Sequence, residues 1–157
     1  MPFFTQNLLV NLIASFLTSI GFAIMFNTNK RHLVYIGFAG LGTYAVYYTF
    51  LYFLSSVFWA AFISSVFVAL YAEIVARVRR APTIIFLLTG IVPTVPGGSL
   101  YYTMRNLILN DFDKALLKLI ETLEVGLGIA GGIVSVSIIF GVVMDGIRKH
   151  HKHVINQ

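Results

Sequence analysis

The chain has 157 residues, of which 58% are hydrophobic and only 11% charged, and its mean hydropathy is +0.86. A soluble domain carries about 25% charged residues, so the composition excludes one and points to an integral membrane protein. The net charge of +5 is not a nucleic-acid footprint, because Lys and Arg lie in short loops beside apolar runs, and the lack of cysteine excludes disulfides, thiolate metal sites and a Cys nucleophile.

Five apolar runs predict an all-α polytopic bundle, a single integral membrane domain over residues 1–157. The expected spans are 4–26, 33–53, 57–75, 83–104 and 122–143. The first run reads as a span rather than a signal peptide. It has no basic n-region, its apolar stretch is too long, and no small-x-small cleavage site precedes Lys30-Arg31. Along it, Asn7, Asn11, Ser15 and Ser19 share one face and predict a protein-facing polar stripe. Gly37-x-x-Gly40-x-Gly42 in the second run has no flanking strand and is not a nucleotide loop. Tyr47, Tyr48, Tyr52, Phe53, Phe58 and Trp59 crowd the Ser55-Ser56 turn, as an interfacial aromatic belt does.

Glu73, near the end of the third run, stands four residues before Arg77. That spacing favours a local ion pair, and the alternative is a proton-coupling carboxylate. The fourth run is interrupted at Pro93-Thr94-Val95-Pro96-Gly97-Gly98-Ser99. Two prolines and a glycine pair at membrane depth break a helix and free backbone groups that lipid cannot satisfy. Such breaks mark binding sites in transporters. Gly97-Gly98 is expected to let the backbone turn, and Ser99 to cap a new half-helix. The N–H groups of Gly97, Gly98 and Ser99 would then cradle a carboxylate, with the Thr94 and Ser99 hydroxyls completing the contact. The competing reading is a kink that only shapes packing.

Residues 106–120 are amphipathic, with Asn110 or Asp111 as a cap, and are expected on the interface or as an extension of span five. Glu121 and Glu124 read as acids at the start of that span, where they suit the helix dipole. Gly128 and Gly132, next to Gly131, form a GxxxG that predicts close helix packing. Asp145 stands four residues before Lys149, a pair at the helix end. The tail Arg148-Lys149-His150-His151-Lys152-His153 suits anionic lipid headgroups better than a metal.

Eight of the eleven Lys and Arg fall on one side if all five runs cross, which places the N-terminus out and the C-terminus in. A re-entrant fourth run gives the same score, so charge does not decide whether the chain crosses there. The sequence holds no Ser/His/Asp, metalloprotease or P-loop pattern. The expectation is therefore a non-enzyme without cofactor or metal, driven by an ion gradient or by a partner.

The order Asn27-Thr28-Asn29-Lys30-Arg31, Tyr71-Ala72-Glu73-Ile74-Val75-Ala76-Arg77, Ala81-Pro82-Thr83, then Gly90-Ile91-Val92-Pro93-Thr94-Val95-Pro96-Gly97-Gly98 resembles the threonine/serine exporter (ThrE) family, in particular its small YjjB-type subunit. The resemblance covers nearly the whole chain. It implies a secondary exporter of small polar metabolites in the inner or plasma membrane, with threonine, serine or a dicarboxylate such as succinate as substrate. It also implies that this chain is half a transporter, paired with a larger membrane subunit and open to homo-oligomer formation. The family motifs map onto Glu73, Pro82, Pro93, Pro96, Gly97 and Gly98. A channel-like or structural subunit without its own substrate site is the alternative.

Overall fold

A computed structural model describes the backbone of residues 8–155 and the side chains of residues 8–142. Asn7 and the basic tail with Asp145 lie outside the described side chains. The described residues form helices α1 (Leu8–Met25), α2 (Leu33–Leu54), α3 (Val57–Arg79), α4 (Thr83–Ile91), α5 (Gly97–Ile108) and α6 (Phe112–Ile155). Short 3-10 turns at Lys30–His32 and Val92–Thr94 precede α2 and follow α4. The architecture is an all-α membrane bundle. Helices α1, α2, α3 and the apolar part of α6 are each long and apolar enough to cross a bilayer. The pair α4–α5, bent by 51° at the break, supplies a fifth span.

The joints are built from residues other than glycine. Asn27, Ser55, Arg80 and Asn110 take left-handed φ values of 50–57° just beyond helix ends, whereas no described glycine has positive φ. Left-handed residues close helices by turning spare carbonyls onto following N–H groups. Here Arg80 N donates to Arg77 O (3.4 Å), and Asp111 N donates to Asn106 O (2.9 Å). Asp111 then starts α6, its Oδ1 accepting from Lys114 N at 3.3 Å. The hydrogen bond from the Lys114 ammonium holds the Asp111 carboxyl below its usual range.

Glycines serve packing instead. A Cβ on Gly37 would meet the Phe16 ring, and one on Gly40 would strike the Ser19 hydroxyl, so α1 and α2 approach closely along the predicted polar stripe. Ser15, Ser19 and Ala23 are buried there, while Leu9, Ile13, Leu17 and Ile24 face outward. The same holds on α6. A Cβ on Gly128 would lie 2.7 Å from Phe58 O, and one on Gly132 would lie 2.6 Å from Phe62 O. The GxxxG therefore packs against α3 within the chain.

These contacts also fix direction. Gly128 lies beside Phe58, Gly132 beside Phe62 and Ser65, and Phe140 beneath the Arg77 guanidinium, 4.8 Å from its ring centroid. Helix α6 thus runs parallel to α3. Between the end of α3 and Gly128 the chain must return to the side from which α3 started. A re-entrant loop would have made α6 antiparallel to α3. Helix α4 and its 3-10 turn reach only about 18 Å at 1.5 Å per residue, short of a hydrocarbon core of about 30 Å, so α5 completes the crossing.

Residues 106–120 are divided by the turn at Leu109–Asp111 between the end of α5 and the first turns of α6, which is continuous for 44 residues. Asp111, one of the two expected caps, stands at the start of α6, and residues 112–120 lie on the same helix as the fifth apolar run.

Two outcomes follow for measurement. Gly128→Leu destabilises the protein by about 1–3 kcal/mol through overpacking against α3. Gly126→Ala, where a Cβ meets nothing within 4 Å, is neutral or stabilising by up to about 1 kcal/mol. Thermal unfolding in detergent reads both. Because the chain lacks cysteine, Ser56→Cys and Leu109→Cys label from one side of a sealed vesicle and Asn29→Cys from the other. Labelling of Leu109→Cys from the Asn29 side would contradict the crossing.

Candidate functional site

The break is assembled so that few backbone groups are left without a partner. Thr94 Oγ1 donates to Ile91 O at 2.8 Å, and Val95 N donates to Val92 O at 3.1 Å. Pro93 and Pro96 carry no N–H, which removes two donors at a depth where lipid accepts none. The turn itself is made by Val95 (φ −62°, ψ 130°) and Pro96 (φ −79°, ψ 49°). Gly97 and Gly98 already belong to the first turn of α5. Their expected role as turn residues is therefore not what the backbone uses.

The proposed cradle changes in detail. Gly97 N–H is occupied, donating to Val95 O at 2.8 Å, and the helical ladder opens with Leu100 N to Pro96 O at 3.1 Å. The N–H groups of Gly98 and Ser99 remain outside that ladder, as helix geometry requires of a first turn. No side chain caps α5 at Pro96. The Ser99 hydroxyl, expected as a cap, instead donates to Glu121 Oε1 at 2.8 Å. Thr94 is buried and its hydroxyl engaged, whereas Gly97 and Gly98 are exposed on the surface of the chain.

Glu121 is the residue that sequence reasoning missed. Its place just before the fifth apolar run suggests a helix start, but it sits in the third turn of α6 and is half-buried. Lys118 Nζ lies 2.5 Å from Glu121 Oε2. Tyr47 of α2 stands within Coulombic reach of the same carboxylate. The available signal was the hairpin. Ser99 and Glu121 are equidistant in sequence from Asn110, so antiparallel helices turning there bring the two together. Glu124 is exposed one turn on.

Glu73 is not part of this group. Its Oε2 pairs with Arg77 at 3.0 Å, and Arg77 also donates to the Glu73 carbonyl at 3.1 Å. The ion-pair reading of the spacing therefore accounts for its contacts. Asn11, on the polar stripe, shares a side-chain hydrogen bond with Tyr44. Among the described residues no group of three or more His, Cys, Asp or Glu side chains could hold a metal ion.

A family model described as "Threonine/Serine exporter, ThrE" matches residues 11–139. The chain belongs to this exporter family. No curated protein and no solved structure matches it. The matched region of this ThrE-family chain contains the whole break, the α5–α6 hairpin and the packed faces of α1, α2 and α3. Membership identifies a multi-pass membrane protein of a transport family.

For the Glu73–Arg77 pair, which is partly exposed, Glu73→Gln is expected to change stability by less than about 0.5 kcal/mol. Export is expected to stay within twofold of wild type. A loss of export with intact insertion would reinstate Glu73 as a coupling group.

Proposed function

We propose that this chain is one subunit of a secondary exporter of threonine and serine, and that the break is where substrate passes. The observation that carries this reading is the pair Gly97-Gly98. The two are adjacent and open the first turn of α5. Neither has positive φ, and a Cβ on either would meet nothing within 4 Å. Among the described residues nothing needs those positions small, which is equally true of Gly21, Gly126 and Gly141; the pair differs from these in standing side by side at the mouth of α5, beside the break. What needs them small approaches from outside: a substrate at the N–H groups of Gly98 and Ser99, and a second protein surface over them.

A broken helix open on one side is half an enclosure. The occupant that closes it in this proposal is the larger membrane subunit of a split exporter. Pro93 and Pro96 hold the break open, Thr94 fixes the end of α4, and Ser99 ties α5 to α6. The substrate carboxylate meets the positive end of α5. A small dicarboxylate such as succinate fits less well, because its second carboxylate would face Glu121. The protein lies in the cell membrane with its N-terminus out and C-terminus in, by the positive-inside rule.

The test uses both chains in transport-deficient cells, and each chain alone. Threonine export is expected from the pair and not from this chain by itself. Gly97→Leu and Gly98→Leu leave insertion and thermal stability of this chain unchanged within about 0.5 kcal/mol, yet lower export at least tenfold, since surface changes free of contacts cost little. Full export by this chain alone overturns the split-subunit reading. Unchanged export by both leucine variants favours a channel-like or structural subunit.

A further inference from the structure

We infer that Glu121 is the specificity residue for the substrate's amino group, and that the Lys118 ammonium is a stand-in holding its place when no substrate is bound. The inference rests on the proposed passage of amino acids through the break. It adds a residue, a partner and an order of events.

An amino-acid zwitterion needs a negative group within reach of the donors that take its carboxylate. Other acids with described side chains are poorly placed for that. Glu73 is held by Arg77 at 3.0 Å. Asp111 is in the turn beyond α5 and is held by Lys114 at 2.6 Å. Asp113 and Glu124 are exposed. Glu121 alone among them is hydrogen-bonded to the first turn of α5, through Ser99 Oγ at 2.8 Å. Its side chain is 21% exposed, so its charge is largely withdrawn from solvent.

A half-buried carboxylate is costly without a cation, and the cation it has is an alkylammonium. Lys118 Nζ and a substrate α-ammonium are the same chemical group, three donors on one positive nitrogen. Lys118 stands on a long flexible stem and its side chain is 31% exposed. It can withdraw to water without breaking a helix. A substrate arriving at the N–H groups of Gly98 and Ser99 can then place its ammonium on Glu121 Oε2 while Ser99 keeps Oε1. Exchange of one ammonium for another keeps the Glu121 carboxylate paired in both end states, while the substrate carboxylate, the one charge added, is met by the first-turn N–H groups of α5. A dicarboxylate or a 2-hydroxy acid offers no such exchange.

The experiment compares Glu121→Gln, Lys118→Gln and the double variant, each with the larger subunit and each checked for membrane insertion. Threonine export and the thermal shift of the purified complex with threonine, or with its deaminated 2-hydroxy analogue, are the two readouts. Glu121→Gln is expected to raise the KM for threonine at least about tenfold, the loss of a charged hydrogen bond. Lys118→Gln is expected to lower that KM, because the competitor is gone. The double variant is expected to stay as poor as Glu121→Gln. If the pair is only a structural tie, the double variant, which leaves no unpaired charge, recovers export; that recovery overturns the inference. So does a wild-type thermal shift with the 2-hydroxy analogue equal to that with threonine. Wild-type export with sensitivity at Gly98 but none at Glu121 overturns this inference and leaves the proposed function standing. Absence of wild-type threonine export overturns both.

Discussion

Hydrocarbon accepts and donates no hydrogen bonds, and the rest of this structure depends on that. Every backbone group at membrane depth must find a partner in protein or face water. Five crossings in 157 residues leave little chain for anything but helices, which satisfy themselves. The break in the fourth crossing is tolerable because its donors are few and placed. Two prolines delete their own N–H groups, Thr94 and Val95 cap the end of α4, and Gly97 turns its N–H onto Val95. What survives is a pair of N–H groups at the mouth of α5, and that pair is the only part of the break with spare hydrogen-bonding capacity of the donor kind.

The same solvent inverts the logic of packing. With apolar lipid outside, burying a leucine gains little, and helices associate where small residues let backbones come close. The buried set accordingly is rich in small residues, Ala23, Ala39, Ala60, Ala61 and Ala72 with Ser15, Ser19, Ser64, Ser65 and Thr43, around a few larger ones, Phe86, Ile36 and Val68. Most other large apolar side chains are turned outward. Two populations of glycine then separate. Gly37, Gly40, Gly90, Gly128 and Gly132 each have a neighbour where a Cβ would sit; Gly21, Gly97, Gly98, Gly126 and Gly141 have none. The first group is explained by the fold of this chain; in the second, Gly97 and Gly98 stand apart as an adjacent pair that opens a helix.

Much of this was legible from residues alone, for identifiable reasons. Span positions follow from apolar run length, which the bilayer fixes. The polar face of α1 and the GxxxG of α6 follow from helical spacing, which any helix obeys. The break follows from proline chemistry. The helix start at Asn110–Asp111 is legible as a cap, but the end of α5 just before it is not, because amphipathic spacing continues across the turn. The contact of Glu121 is not legible either, since an acid just before Thr122 suits a helix start. Its true surroundings depend on a hairpin partner eleven positions away on each side of Asn110, a tertiary fact that local propensity does not carry. The parallel course of α3 and α6 follows from a fourth run with enough residues to cross, although charge counting scores both topologies alike.

Helix α5 is the least anchored element of the crossing. It packs mainly against α6, is joined to α4 through a bend of 51°, and begins with two residues that add no side-chain contact. Its first turn is tied to α6 by the single hydrogen bond of Ser99 to Glu121, and Glu121 is in turn balanced by Lys118. A tie of this kind is conditional. A carboxylate shared between a serine and an ammonium holds α5 in place only while its charge is matched, and the matching cation is exchangeable, because Lys118 is on a long stem and partly exposed. Elements that move in transport come from the weakly packed end of a structure. In this chain that end, the spare N–H groups and the exchangeable cation all meet at one turn of helix, so occupancy of the break and the hold on α5 are set by the same few atoms.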